Sequence, residues 1–181
     1  MNYMKTTPLM LFPAICLCFT GCGEKKVASA AAPQAEISLD SYFSATAATA
    51  VGDIHTLRTT VKPGDSVVVS GRIMGRDNPF VEGRAAFVLG DPSVLQACND
   101  KPGDNCETPW DTCCNTNEEK AVGTATVQLV GADGRVLKQG LKGQHGLTEL
   151  SKVTVTGTID KASSAEALII NATQLHVQAA P

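Results

Sequence analysis

The chain is 181 residues long, which suits one domain and a tether. Its formal net charge is −3 at pH 7 and it lacks a basic patch, so electrostatics disfavour nucleic acid as a partner. Aromatic residues make up only 4% of the chain, which leaves few side chains for stacking on bases.

Residues 1–21 have the pattern of a secretory signal peptide that ends before a lipidated cysteine. Lys5 places a positive charge ahead of an apolar run at 8–18 that is too short for a membrane span. The segment Phe19-Thr-Gly-Cys22 that follows resembles the lipobox of bacterial lipoproteins. The resemblance implies cleavage before Cys22 and acylation of that residue (palmitate), which would attach the mature chain to a lipid bilayer. More than one acyl chain is needed for stable attachment.

The alternative is an ordinary cleaved signal peptide with an incidental cysteine. In lipoprotein families, a glycine such as Gly23 rather than aspartate after the cysteine implies the outer membrane over the inner one.

Residues 22–50 are interpreted as the lipidated N-terminus and its tether, with the flexible part at 23–35, because this stretch lacks a sustained apolar period. The spacing of Tyr42 and Phe43 leaves open whether they dock onto the domain.

The domain is expected over residues 51–178. A short helix at 53–58 is predicted with Asp53 as its cap, since Ile54, Leu57 and Val61 share one helical face. Period-two alternation predicts five strands, and they lie at 66–74, 84–91, 124–130, 152–161 and 167–178. The dipeptide Asp133-Gly134 predicts a hairpin turn after the third strand.

Two of these strands share a pattern with a glycine in the middle. Val67-x-Val-x-Gly71-x-Ile73 returns as Val153-x-Val-x-Gly157-x-Ile159. Glycine weakens a flat strand, and its usual purpose there is a sharp bend or a close approach of two backbones. The pattern therefore predicts a small, strongly curved sheet. The alternative is that such a pattern is common to β proteins in general.

Five strands without a long helix predict an all-β fold, a small five-stranded Greek-key barrel of OB type. The two glycine strands, together with Phe87-Val-Leu-Gly-Asp91, resemble bacterial periplasmic OB-fold domains over residues 53–178. The segment Thr108-Pro-Trp-Asp-x-Cys-Cys114 extends the resemblance to uncharacterised bacterial lipoproteins with an OB-fold-like domain. No activity comes with that resemblance.

A cysteine-rich loop at 97–120, without helical periodicity, separates the second and third strands. It contains the only tryptophan, Trp110, and every cysteine outside the leader, namely Cys98, Cys106, Cys113 and Cys114. So long a loop needs something to hold it, and export to an oxidising compartment predicts a disulfide staple. Disulfide geometry disfavours a Cys113–Cys114 bridge. Two arrangements remain open, Cys98–Cys113 with Cys106–Cys114 or Cys98–Cys114 with Cys106–Cys113.

The same four cysteines carry an alternative reading, a metal-binding or thiol-redox protein of the cell envelope. Their spacing matches neither the paired C-x-x-C of zinc sites nor a C-x-x-C redox motif. The sequence also lacks a nucleophile–base constellation, a phosphate-binding loop and a dinucleotide fingerprint. It therefore predicts no catalytic residue and no cofactor.

The predicted function is a non-enzymatic binding or structural module in the bacterial cell envelope, on the periplasmic side. OB folds bind through the face of strands 2 and 3 and the loops beside them. The residues chosen there as the binding surface are Phe80, Arg84, Trp110 and Asp111. The expected partner, besides the bilayer, is an envelope protein or glycan.

Overall fold

A computed structural model of the protein describes residues 38–49 and 51–178. The signal peptide, the lipobox with Cys22 and the predicted flexible tether at 23–35 lie outside the described residues. Within the two described ranges, none of the helices has the length and apolar character needed to cross a bilayer.

The domain is a closed barrel of five strands in the order β1-β2-β3-β5-β4, with β4 pairing back onto β1. The strands are β1 (Ser66–Ile73), β2 (Ala86–Gly90), β3 (Thr124–Gln128), β4 (Lys152–Ile159) and β5 (Ile169–Gln178). The pair β3–β5 is parallel, and the other neighbours are antiparallel. The predicted all-β, OB-like five-stranded barrel is therefore confirmed.

Alternating apolar residues fill the barrel, as the strand patterns predict. In β1 and β4 every second residue is buried, and the same holds in β3. The side chains at the centre include Val69, Phe87, Val127, Val155 and Ile170. The polar residues between them face outward. The alternation of side chains along a strand is therefore enough to assign most residues to the inner or the outer face of the barrel.

The glycines of the repeated pattern lie where two backbones approach closely. A Cβ at Gly71 would lie 2.6 Å from the carbonyl oxygen of Gly90, and one at Gly157 would lie 2.9 Å from Cα of Ala172. The register between β4 and β5 also shifts at Gly157, which marks a bulge. The prediction that these glycines serve a close approach is confirmed.

Two short α-helices of the described residues lie outside the barrel, α1 (Ile54–Thr60) and α2 (Asn117–Gly123). Helix α1 is the one predicted at 53–58. Helix α2 corrects the expectation that the segment 97–120 is irregular throughout. Its N-terminus is a capping box, in which Thr116 Oγ1 accepts the Glu119 N–H at 3.1 Å and Glu119 Oε2 accepts the Thr116 N–H at 2.8 Å.

The N-terminus of α1 is capped by Asp91 from the end of β2, not by Asp53 as predicted. Asp53 makes no side-chain capping bond. One carboxylate oxygen of Asp91 accepts the backbone N–H of His55 at 3.1 Å and lies 2.9 Å from His55 Nδ1. The other accepts the N–H and the hydroxyl of Ser93 at 2.9 and 2.6 Å. Asp91 is 1% exposed, so this cap is a buried link between helix and barrel.

The described part of the N-terminal segment packs on the barrel. Leu39 is buried, and the Tyr42 hydroxyl donates to the carbonyl oxygen of Val130 at 2.8 Å. Phe43 forms a β-bridge with Leu175 and stacks on His145 at 4.1 Å between ring centroids. Tyr42 and Phe43, whose docking the sequence left open, therefore both dock onto the domain.

Candidate functional site

A pocket of about 340 Å³ lies on the outer face of β2 and β3. Phe87 and Val127 point into the core, so their neighbours Val88 and Thr126, which face each other across the strand pair, form the floor of the pocket. A volume of this size falls within the range of about 300–1,000 Å³ that is typical of small-molecule sites.

The walls come from loops and helices that are far apart in the sequence. They are the loop after β1 (Gly75, Arg76), the segment before β5 (Glu166, Ala167, Leu168), α1 (Arg58) and α2 (Asn117, Lys120, Ala121), with Thr124 at the start of β3. Barrel closure brings these segments together, because β3 pairs with both β2 and β5. The pocket therefore occupies the part of the barrel by which OB folds bind.

Arg58 is a fixed element of the pocket wall. Its Nη1 and Nη2 donate to the carbonyl oxygens of Ala165 and Thr124 at 2.9 and 2.6 Å. Its Nε is buried and has no hydrogen-bond partner among the described residues. Burial lowers the pKa of Arg58 below its ordinary value. Two carbonyl oxygens thus hold a guanidinium beside the pocket without neutralising it.

The electrostatics of the pocket are dominated by positive charge. Of the described residues, Arg58, Arg76 and Lys120 line it, against the single carboxylate of Glu166. In the part of the chain that the structure describes, none of these three cations pairs with a carboxylate. Hydrogen bonding to Ser164 lowers the pKa of Glu166, so this carboxylate is charged at neutral pH.

The four residues predicted as the binding surface do not line this pocket. Phe80 is 7% exposed and packs against Phe87 in the core, with ring centroids 6.2 Å apart, so it is not part of an open surface. Arg84 is exposed but lies outside the pocket. Trp110 and Asp111 are half-buried in the cysteine loop.

Trp110 joins the cysteine loop to the rim of the pocket. Its indole Nε1 donates to the carbonyl oxygen of Asp77 at 2.7 Å, and its own carbonyl oxygen accepts the N–H of Gly75 at 3.2 Å. Its ring packs against a small cluster of Met74, Leu95 and Ala97, which are buried. Because Gly75 and Asp77 flank Arg76, the tryptophan fixes the backbone on both sides of a residue of the pocket wall.

The cysteine loop is ordered by contacts other than disulfides. The N–H groups of Cys98 and Asn99 donate to the carbonyl oxygens of Asp111 and Pro109, both at 2.8 Å. Directly after these two residues, Asp100 holds the loop to β1, because Arg72 Nη1 lies 2.7 Å from its carboxylate oxygen. These pairs and the cluster around Trp110 supply the restraint that so long a loop requires.

The four loop cysteines are close together and are free thiols in the structure. The Sγ atoms of Cys98 and Cys113 are 3.3 Å apart, and those of Cys113 and Cys114 are 3.9 Å apart. Cys98, Cys106 and Cys113 have all three Sγ atoms within 4.8 Å of one another. A disulfide bond has a length of about 2.05 Å, so the staple is not formed here and stays a prediction. The two Sγ atoms that lie closest together, those of Cys98 and Cys113, are bonded in the first of the two predicted arrangements, Cys98–Cys113 with Cys106–Cys114.

The environments of these thiols differ. Burial, with a contribution from the thiols of Cys113 and Cys106, raises the pKa of Cys98 to about 12. A hydrogen bond with Lys101 lowers the pKa of Cys114, and one with the Thr108 hydroxyl lowers that of Cys106. Exposed Cys114 is therefore a better source of thiolate than buried Cys98.

Ser93, His55 and Asp91 are near one another, but their geometry is that of a cap rather than a catalytic triad. The Ser93 hydroxyl donates to Asp91 and lies 3.4 Å from His55 Nδ1, the same ring nitrogen that faces the carboxylate. In a triad, the nucleophile and the carboxylate are on opposite nitrogens of the imidazole. The three residues therefore join α1 to the end of β2.

Comparison with family models, curated proteins and solved structures finds no match to this chain.

Proposed function

We propose that this protein is a non-enzymatic binding module of the bacterial cell envelope, anchored through acylated Cys22, and that its ligand binds in the pocket on the β2–β3 face. The position of that pocket carries the proposal. It has a volume of about 340 Å³ and is bounded by β2, β3 and the loops beside them, which is where OB folds bind oligonucleotides and oligosaccharides. The lipobox resemblance supports the anchor.

The shape and lining of the pocket favour a small molecule or glycan over a protein partner. Ligand pockets are concave, whereas stable protein interfaces are broad. Thr126 and Asn117 contribute hydroxyl and amide groups that hydrogen-bond to sugars. Among the described residues that line the pocket none is aromatic, so they offer no platform for stacking a base.

Filling the pocket should weaken binding while leaving the barrel intact. We expect Thr126→Trp to reduce glycan binding at least about tenfold, which is about 1.4 kcal/mol, because the indole would occupy the floor opposite Val88. The matched control is Gln174→Trp, at an exposed position of β5 outside the pocket. The measurement is binding of the full-length protein, in detergent, to an array of envelope glycans. Equal binding of a glycan by Thr126→Trp and the control contradicts the proposed pocket, and absence of any bound glycan contradicts a glycan ligand.

The three neighbouring thiols favour a second function, binding of a soft metal ion. Thiolates select Cu(I) and Zn²⁺, and zinc–sulfur bonds of about 2.3 Å require only small shifts of three Sγ atoms that already lie within 4.8 Å of one another. Cys114 would remain beside this set, 3.9 Å from Cys113. A metal and a disulfide staple exclude each other at these cysteines.

Thiol counting and peptide mapping separate the two functions. For the binding module we expect no free thiol in the purified protein and no bound metal, with peptides joined as Cys98–Cys113 and Cys106–Cys114, because the first of these pairs has Sγ atoms 3.3 Å apart. The measurements are alkylation under denaturing conditions, intact mass and metal analysis. Free thiols with one equivalent of metal would support the second function, and a Cys98–Cys114 peptide would contradict the pairing.

A further inference from the structure

The walls of the pocket carry an unusual concentration of cations for a chain whose net charge is −3. Arg58, Arg76 and Lys120 make no ion pair with a carboxylate of the described residues, and all three line this one pocket. Like charges around a concave surface repel one another and focus a positive potential into it. A bound anion would offset that repulsion.

The guanidinium of Arg58 is a positive charge that is held in place beside the pocket. Both of its Nη atoms donate to backbone carbonyl oxygens, so its guanidinium cannot turn away from the pocket, and its buried Nε lacks a partner among the described residues. Arg76 is exposed and Lys120 is half-buried, so their charged ends are free to contact a ligand. Arginine matches carboxylate and phosphate through paired N–H donors, and lysine contributes a point charge.

We infer that the pocket recognises an anionic group, a phosphate or a carboxylate on a small ligand, through Arg76 and Lys120, with Arg58 as the positioning charge behind them. This inference rests on the proposed binding function and adds the chemical class of its ligand. Glu166 is the one carboxylate among the described residues of the lining, and it accepts the Ser164 hydroxyl at 2.9 Å. It leaves the excess of positive charge in place and can also accept hydroxyl groups of a sugar.

Titration of the full-length protein in detergent with inorganic phosphate, glucuronate and glucose tests the inference by calorimetry. We expect phosphate or glucuronate to bind, glucose to bind at least about tenfold more weakly than the better anion, and the anion's affinity to fall as salt is raised. Binding of phosphate alone would point to a phosphorylated ligand, and binding of glucuronate alone would point to an acidic glycan. Failure of both anions to bind, or binding of glucose with equal affinity, overturns the inference.

Two double variants test whether the positive charges of the pocket wall, rather than positive charge elsewhere on the surface, bind the anion. Arg76→Gln with Lys120→Gln should weaken anion binding at least about tenfold. Arg84→Gln with Lys138→Gln removes the same charge at exposed positions outside the pocket and should change it less than twofold. Equal losses in the two variants overturn the inference. If the first variant does not fold, as seen by its thermal melt, the comparison of glucose with the anions in the wild type decides alone.

The two proposals fail in different ways. If neutral and acidic sugars bind equally well, and Thr126→Trp weakens the binding of both, the inference of an anionic ligand is overturned and the proposed binding function stands. Absence of binding to phosphate, glucuronate and every glycan of the array would overturn both.

Discussion

Replacement of Asp91 by alanine is expected to lower the free energy of unfolding by about 3 kcal/mol. The carboxylate accepts four close contacts from His55 and Ser93 and is 1% exposed. Its removal leaves the N–H of His55, in the first turn of α1, without its acceptor and breaks the buried link between helix and barrel. Urea unfolding at pH 7, followed by circular dichroism, measures the change.

The matched control is Asp53→Ala. Asp53 occupies the N-cap position of α1 but makes no capping bond with its side chain. Its replacement should therefore change the free energy of unfolding by less than about 0.5 kcal/mol. Equal effects of the two substitutions would show that α1 is not capped from the barrel.

The contribution of Asp91 should also depend on pH. Burial opposes its charge, but hydrogen bonds from Ser93 and His55 outweigh burial, and the pKa of Asp91 is lowered. A carboxylate whose pKa is lower in the folded state stabilises the fold above its unfolded pKa of about 3.9, and this contribution is lost as the pH falls through the folded pKa. The difference in unfolding free energy between wild type and Asp91→Ala should therefore shrink as the pH falls below about pH 4.

Gly157→Ala is expected to destabilise the barrel by about 3 kcal/mol or more. A Cβ at this position would overlap the carbonyl oxygen of Asn171 and lie 2.9 Å from Cα of Ala172. Both obstacles are backbone atoms of the paired strand β5, which cannot move aside as a flexible side chain does. The same urea unfolding experiment gives the loss, and a protein that fails to fold at all agrees with the expectation.

Gly140→Ala is the control for Gly157→Ala. Within the ranges 38–49 and 51–178, no heavy atom lies within 4 Å of the Cβ that would be added at Gly140. This substitution should change the free energy of unfolding by less than about 0.5 kcal/mol. A similar tolerance at Gly157 would mean that β4 and β5 do not approach as closely as described.

The sequence predicts the barrel well because local patterns specify its strands. The alternation in β1 and β4 determines which residues are buried, and the glycine in each identifies the place where two backbones meet. The pairing of these two similar strands, with Gly71 opposite Val153 and Gly157 opposite Val67, does not follow from either pattern alone. It results from closure of the whole barrel.

The features that escaped prediction depend on contacts between distant residues. The cap of α1 comes from Asp91 at the end of β2, and no local pattern connects it with His55. The pocket joins Arg58, Arg76 and Lys120, which share no sequence motif. Helix α2 is different, since the Thr116-x-x-Glu119 capping box was a local signal for it.

The bonds of Trp110 to the residues on either side of Arg76 have a consequence for affinity. The N–H of Gly75 and the carbonyl oxygen of Asp77 both bond to this one tryptophan, at 3.2 and 2.7 Å. Ordering a loop when a ligand binds costs conformational entropy, which weakens binding. Here the backbone of Arg76 is preorganised before any ligand arrives, so only its side chain has freedom left to lose.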